Sequence, residues 1–164
     1  MGVCRARDVF EKFKKITDYR ELFDCRSEAQ KWNDKLTCAW NDFKNFIEDY
    51  PVKKVAYFIW KNPYMVAGSD NFINELLKLN HFHNIYDTKG RYPEIEPEKM
   101  HAEGNPDLIF LSSEPFPFKE EDAFELGRFS EPAKIVFVDG EMFSWYGSRL
   151  LHAFDYFKKM HQKI

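Results

Sequence analysis

The residues of this chain whose types and spacing suit chemistry collect in three segments: Trp60-Lys61-Asn62-Pro63-Tyr64, Ser112-Ser113-Glu114-Pro115-Phe116-Pro117-Phe118, and Asp139-Gly140-Glu141-Met142-Phe143-Ser144-Trp145-Tyr146-Gly147-Ser148-Arg149. With Tyr92 from the stretch after Gly90 they bring together eight aromatic rings, several hydroxyls and a few carboxylates. That mixture suits contact with a large, partly apolar, planar or caged ligand. It does not suit bond-making. Ser112, Ser113 and Ser144 lack the Gly-x-Ser-x-Gly elbow, no Gly-rich phosphate loop occurs, and Glu114, Asp139 and Glu141 come without a base or a metal-ligand spacing. The expectation is therefore a protein that is not an enzyme, with no catalytic residues, no metal site and no covalently bound cofactor. His81 and His83 form a His-x-His pair, but they follow a helix ending at Leu79 and fall away from the aromatic loops. His101, His152 and His161 lie on expected helices without matching partners. Cys4, Cys25 and Cys38 are odd in number and show no close pair, so they read as buried or incidental thiols.

Elements must hold these segments together. Val55 to Trp60, Leu108 to Leu111 and Ile135 to Val138 read as strands, and each runs directly into one of the three segments. Helices are expected from a start at Gly68-Ser69-Asp70 to Leu79 (Phe72, Ile73, Leu76 and Leu77 inward), at 96–103, at 119–127 and around Leu150, Leu151, Phe154 and Phe157, with a short strand at 84–86. Alternating short apolar runs and amphipathic stretches give a mostly parallel α/β sheet of about four strands. In such sheets ligands bind outside the carboxyl ends of the strands, where the three segments would lie. Ahead of the sheet, 7–17 reads as a short amphipathic helix with Val9, Phe10, Phe13 and Ile16. Ser27 and Gln30 form a capping-box pattern opening a helix of about 20 residues. Its apolar stripe is Trp32, Leu36, Ala39, Phe43 and Phe46, while Leu22, Phe23, Trp40 and Ile47 lie off that line.

With 164 residues, 44% of them hydrophobic, the chain is long enough for one domain with a real core. A net charge of −3, with acids and bases interspersed, leaves no basic stripe for a phosphate backbone, so no nucleic-acid partner is expected. No run reaches the roughly 18 apolar residues of a membrane span, and MGVCRARDVF lacks the apolar centre of a signal peptide. As written, the sequence reads as cytoplasmic.

Five motifs carry a resemblance: Trp60-Lys61-Asn62-Pro63-Tyr64-Met65-Val66-Ala67-Gly68, Phe72-Ile73-Asn74-Glu75-Leu76-Leu77, Arg91-Tyr92-Pro93-Glu94-Ile95, Asn105 through Phe118, and Val138 through Leu150. In this order, over about 110 residues, they resemble the carboxy-terminal half of the helical-backbone metal receptors, the cobalamin- and iron-siderophore-type substrate-binding proteins of ABC importers.

The resemblance implies two Rossmann-like lobes joined by one long helix, with a metal chelate held between them; this chain would supply the second, a three-layer α/β lobe with a mostly parallel sheet, preceded by the long backbone helix. The expected layout is 1–26 as the remnant of an N-terminal lobe, 27–50 as the connecting helix and 51–164 as the C-terminal lobe. The implied function is binding of a metal chelate, cobalamin, iron-siderophore or haem-like, for import, here as a half-receptor or fragment. The alternative is a cytosolic chelate-binding or metal-handling protein without an importer. Ligand contact is expected at Trp60, Tyr64, Tyr92, Glu114, Phe116, Asp139, Glu141, Trp145 and Arg149, and docking to the membrane permease at Glu98. Location in the periplasm or cell envelope follows from the same resemblance. Self-association, or pairing with a separate first lobe, follows from the apolar residues off the helix stripe and from Phe10, Phe13 and Ile16, which would lack the sheet of that lobe.

Overall fold

The computed structural model describes residues 26–144 and 149–164. The chain divides into two compact units, Met1–Tyr50 with Trp145–Ile164, and Pro51–Ser144. The expected helix at 7–17, and Leu22 and Phe23, lie outside the described residues, as does Trp145.

The unit 51–144 is a sheet covered on both faces. Its strands are β1 (Lys53–Trp60), β2 (Met65–Val66), β3 (Phe82–Asn84), β4 (Leu108–Ser112) and β5 (Lys134–Val138). The order is β2-β1-β4-β5, with β3 also pairing β1. β1, β3, β4 and β5 pair in parallel, in the register Val55↔Leu108 and Leu108↔Lys134, and β2 pairs antiparallel with β1. All five residues of β4 are buried, as a strand with helices on both faces requires. On one face Ala56, Phe58, Ile109 and Leu111 form a core with Met100 and Leu126, which come from the helices between β3 and β4 and between β4 and β5. On the other face Tyr57 and Phe110 meet Phe143 at ring distances of 5.2 and 6.1 Å, and Phe82 meets Phe110 at 5.1 Å.

The helices follow from local signals. In the unit of the sheet, Asn71 caps the helix Phe72–Leu79, its side chain accepting from the Asn74 amide at 2.8 Å. A 3₁₀ turn (Pro97–Lys99) leads into Met100–Glu103, and Glu120–Gly127 starts with three acids that complement its dipole. The other unit holds the long helix, α1 (Arg26–Ile47); with Phe72–Leu79 as α2, Met100–Glu103 as α3, Glu120–Gly127 as α4 and Gly140–Ser144 as α5, the last helix is α6 (Arg149–His161). Trp40 and Phe43 rest on Phe154 at 6.0 and 5.3 Å, Phe43 on Phe157 at 6.0 Å, and Tyr50 on His161 at 5.1 Å. Lys158 pairs with Asp42.

Several expectations change. The strand at 84–86 is Phe82–Asn84, and what read as loop contains β2 and α5. The buried line of α1 is Leu36, Phe43 and Ile47, with Trp40 half-buried, whereas Trp32 is exposed. Of the residues placed off the stripe, Trp40 rests on Phe154 of α6 and Ile47 is buried. No described helix is long and apolar enough to cross a membrane.

Candidate ligand-binding site

A cavity of about 470 Å³ opens in the unit 51–144 at the carboxyl end of β1. Its floor is Tyr57 and Ile59, alternate residues of β1 that share a face, with Ile73 from α2. Its rim is Trp60, Met65 and Tyr92, and its far wall is Glu114, Pro115, Gly140 and Ser144. Most of this lining is apolar, with a carboxylate and hydroxyls at one side.

Each wall is held from behind. Lys61 Nζ donates to Asp122 at 2.7 Å and to Glu125 at 2.8 Å, and Tyr64 Oη donates to Glu125 at 2.8 Å, so the turn after Trp60 is tied to α4. The hydrogen bonds to Asp122 and Glu125 raise the Lys61 ammonium well above its ordinary range. Burial, followed by the Glu125 hydrogen bond, pushes the Tyr64 phenol up to about 12. The Lys61 and Tyr64 donors lower Glu125; for Asp122, burial works against ionisation and the Lys61 and Lys119 donors overcome it.

The far wall depends on a close approach. Tyr57 Oη donates to Ser112 Oγ at 3.2 Å, and Ser112 Oγ donates to the Glu114 carbonyl. Gly140 lies so near that an added Cβ would stand 2.4 Å from Ser112 Oγ and 2.6 Å from Glu114 Cγ. Only glycine lets the start of α5 close against β4 here. Ser113 Oγ receives the Gly140 amide at 3.0 Å, and Ser144 Oγ lies 3.3 Å from Glu114 Oε1.

Of the residues expected at a ligand, Trp60, Tyr92 and Glu114 line this cavity. Tyr64 does not, because its ring packs edge-on against Phe58 at 5.9 Å and its hydroxyl is taken by Glu125. Phe116 stands behind the rim, 5.8 Å from the Trp60 ring and 4.8 Å from Phe118, and packs against the core. Asp139 caps α5 by accepting the Glu141 amide at 3.0 Å, and neither it nor Glu141 lines the cavity. Phe118 and Phe143, two more of the eight rings, are buried in the core. Arg149 is exposed at the first position of α6, in the other unit. Glu98 is exposed on the 3₁₀ turn. His83 is exposed, and no group of three or more His, Cys, Asp or Glu among the described residues is placed to hold a metal ion.

The cavity also uses residues that sequence reasoning passed over: Tyr57, Ile59, Met65, Ile73, Gly140 and Ser144. The alternation of β1 offered a signal for the first two, since Tyr57 and Ile59 must share one face.

No family model matches the chain, and no curated protein sequence does. Solved structures do match its fold. A protein from Staphylococcus epidermidis described as a possible iron-binding, periplasmic solute-binding protein aligns with a TM-score of 0.76 at 18% identity, covering 92% of this chain and 61% of that one. An ABC transporter substrate-binding protein from Listeria monocytogenes gives 0.72 at 22%, covering 90% and 62%. The periplasmic haem-binding protein BhuT, in complex with two haems, gives 0.78 at 16%, covering 94% and 62%. The present chain spans about three fifths of the length of these structures. It has the α/β fold of these binding proteins, with the mostly parallel sheet and the long helix.

Proposed function

We propose that this chain is a substrate-binding component of an ABC importer for a metal chelate, cobalamin, iron-siderophore or haem-like, acting in the cell envelope with a membrane permease as partner. The observation that carries the reading is the cavity at the carboxyl end of β1. Its rim of Trp60, Met65 and Tyr92 offers flat, polarisable surface to a macrocycle or an apolar chelate, and its polar groups stand to one side where they can orient the ligand. The cavity belongs to a sheet whose fold is shared with a haem-binding and an ABC transporter substrate-binding protein. In this reading Trp60, Tyr92 and Glu114 touch the ligand, and Glu98 meets the permease. The protein holds and delivers its ligand without altering it, so no catalytic group is required.

Titration of the purified chain with cyanocobalamin, haemin and ferrichrome, followed by calorimetry and by absorbance of each chelate, tests the proposal. Saturable one-to-one binding of one chelate, weakened in Trp60→Ala and Tyr92→Ala, is the expected result. Three flat titrations would end it.

A further inference from the structure

We infer that Asn71 is a positioning residue that sets Tyr92 at the cavity rim through the backbone on either side of it. The inference rests on the functional reading above insofar as Tyr92 is a ligand contact. Asn71 is buried, 3% exposed, and its carboxamide makes four hydrogen bonds of two different kinds. Its oxygen accepts the Asn74 amide at 2.8 Å and thereby caps α2. Its nitrogen serves the cavity loop instead, lying 2.8 Å from the Arg91 carbonyl and 3.1 Å from those of Gly68 and Ser69.

The Arg91 and Pro93 carbonyls bracket Tyr92. The Gly68 amide donates to the first at 3.1 Å and the Val66 amide to the second at 3.1 Å, while the Ser69 amide reaches the Lys89 carbonyl at 2.9 Å. Residues 66–71 therefore grip the Tyr92 segment along its length, and Asn71 adds the side-chain bond nearest the ring. The two strands of this clip lie so close that a Cβ on Gly68 would fall 2.0 Å from the Gly90 carbonyl. Tyr92 itself is 39% exposed and has Arg91 Cζ 5.4 Å from its ring centroid, so little besides the backbone clip fixes where its ring stands. A carboxamide here does what a plain cap does not. Serine and aspartate cap helices as well as asparagine does, but neither offers the amide donors that reach the Arg91 and Gly68 carbonyls.

Asn71→Ser and Asn71→Asp in the full chain separate the two jobs, since both keep the cap and both remove the amide donors. The first readout needs no ligand: hydroxyl-radical footprinting of Tyr92 by mass spectrometry, with urea unfolding to verify that each variant remains folded. Modification of Tyr92, already 39% exposed, is expected to rise by up to about twofold in both variants as the ring leaves its place at the rim. The second readout is haemin and cyanocobalamin affinity for wild type, Asn71→Ser, Tyr92→Ala and the double variant. If Asn71 acts through Tyr92, the serine variant weakens binding as the alanine variant does, and the double variant is no weaker than Tyr92→Ala alone. An unchanged footprint in folded variants overturns the inference, as does full additivity of the two substitutions. A wild type that binds none of haemin, cyanocobalamin and ferrichrome overturns the functional reading, and the footprint then decides the positioning role by itself.

Discussion

Lys61 shows how a single side chain decides which rings face the cavity. By reaching two carboxylates of α4 it draws the segment after Trp60 toward that helix, and Tyr64 follows it to Glu125 while Trp60 and Met65 stay at the cavity. Tyr64 carries a pH signature of this arrangement. Its folded pKa is raised from the ordinary 10.0 to about 12, so its share of the stability is present in full below pH 10 and is lost as pH rises toward 12. The stability difference between wild type and Tyr64→Phe, measured by urea unfolding, is expected to shrink across that window; a constant difference would contradict the assignment. At the rim, Trp60→Ala and Tyr92→Ala are each expected to weaken chelate binding by about 1–3 kcal/mol, measured by calorimetry, with little change in fold stability. Trp60, Tyr92 and Glu114 were legible in the sequence because they follow strands or flank a turn near strand ends. The side to which Tyr64 and Phe116 turn was not legible, since it depends on Glu125, Phe58 and Phe118, partners brought near only by the completed sheet.

At the scale of elements, periodicity located every long piece. β1, β4, β5 and α4 stand within a residue or two of where the apolar spacing puts them, whereas α1 ends at Ile47 rather than at 50 and α2 starts at Phe72, after the expected start at Gly68-Ser69-Asp70. β2 and α5 escaped because two and five residues are too few to show a period. The phase of α1 was misread: Trp32 fits the stripe yet is exposed, while the ring contacts with α6 are made by Trp40 and Phe43. Two substitutions test these packings. Phe43 is fully buried against Phe154 and Phe157, so Phe43→Ala is expected to cost about 3–5 kcal/mol in chemical unfolding. Gly140→Ala is expected to cost about 1–3 kcal/mol and to weaken chelate binding, because the new methyl group must displace Ser112 or Glu114 from the far wall.

For the whole molecule, binding and stability are linked by mass action. A chelate held only by the folded protein adds about 2.7 kcal/mol at a hundredfold excess over its Kd. For a chain of this size that corresponds to a rise of about 5–10 °C in the thermal midpoint, read by scanning calorimetry with and without ligand. Fold class was readable from the sequence because alternating strands and helices admit few arrangements, and the motif resemblance agreed with them. Self-association was argued from seven residues, of which Trp40 is half-buried and Ile47 buried in the structure, while Phe10, Phe13, Ile16, Leu22 and Phe23 lie outside the described residues.

The contact between α1 and α6 joins residues that are far apart in the chain: Lys158 and Asp42 are 116 positions distant, and the whole sheet is threaded between them. The entropy of closing so long a loop grows only with the logarithm of its length, so at equilibrium the distance costs little more than that of a loop half as long. In time the distance matters more. The two helices meet once the intervening chain has become compact, which makes their seam a late event in folding and an early one in unfolding. Weakening that seam should therefore shorten the lifetime of the native state while leaving the folding rate nearly as it was.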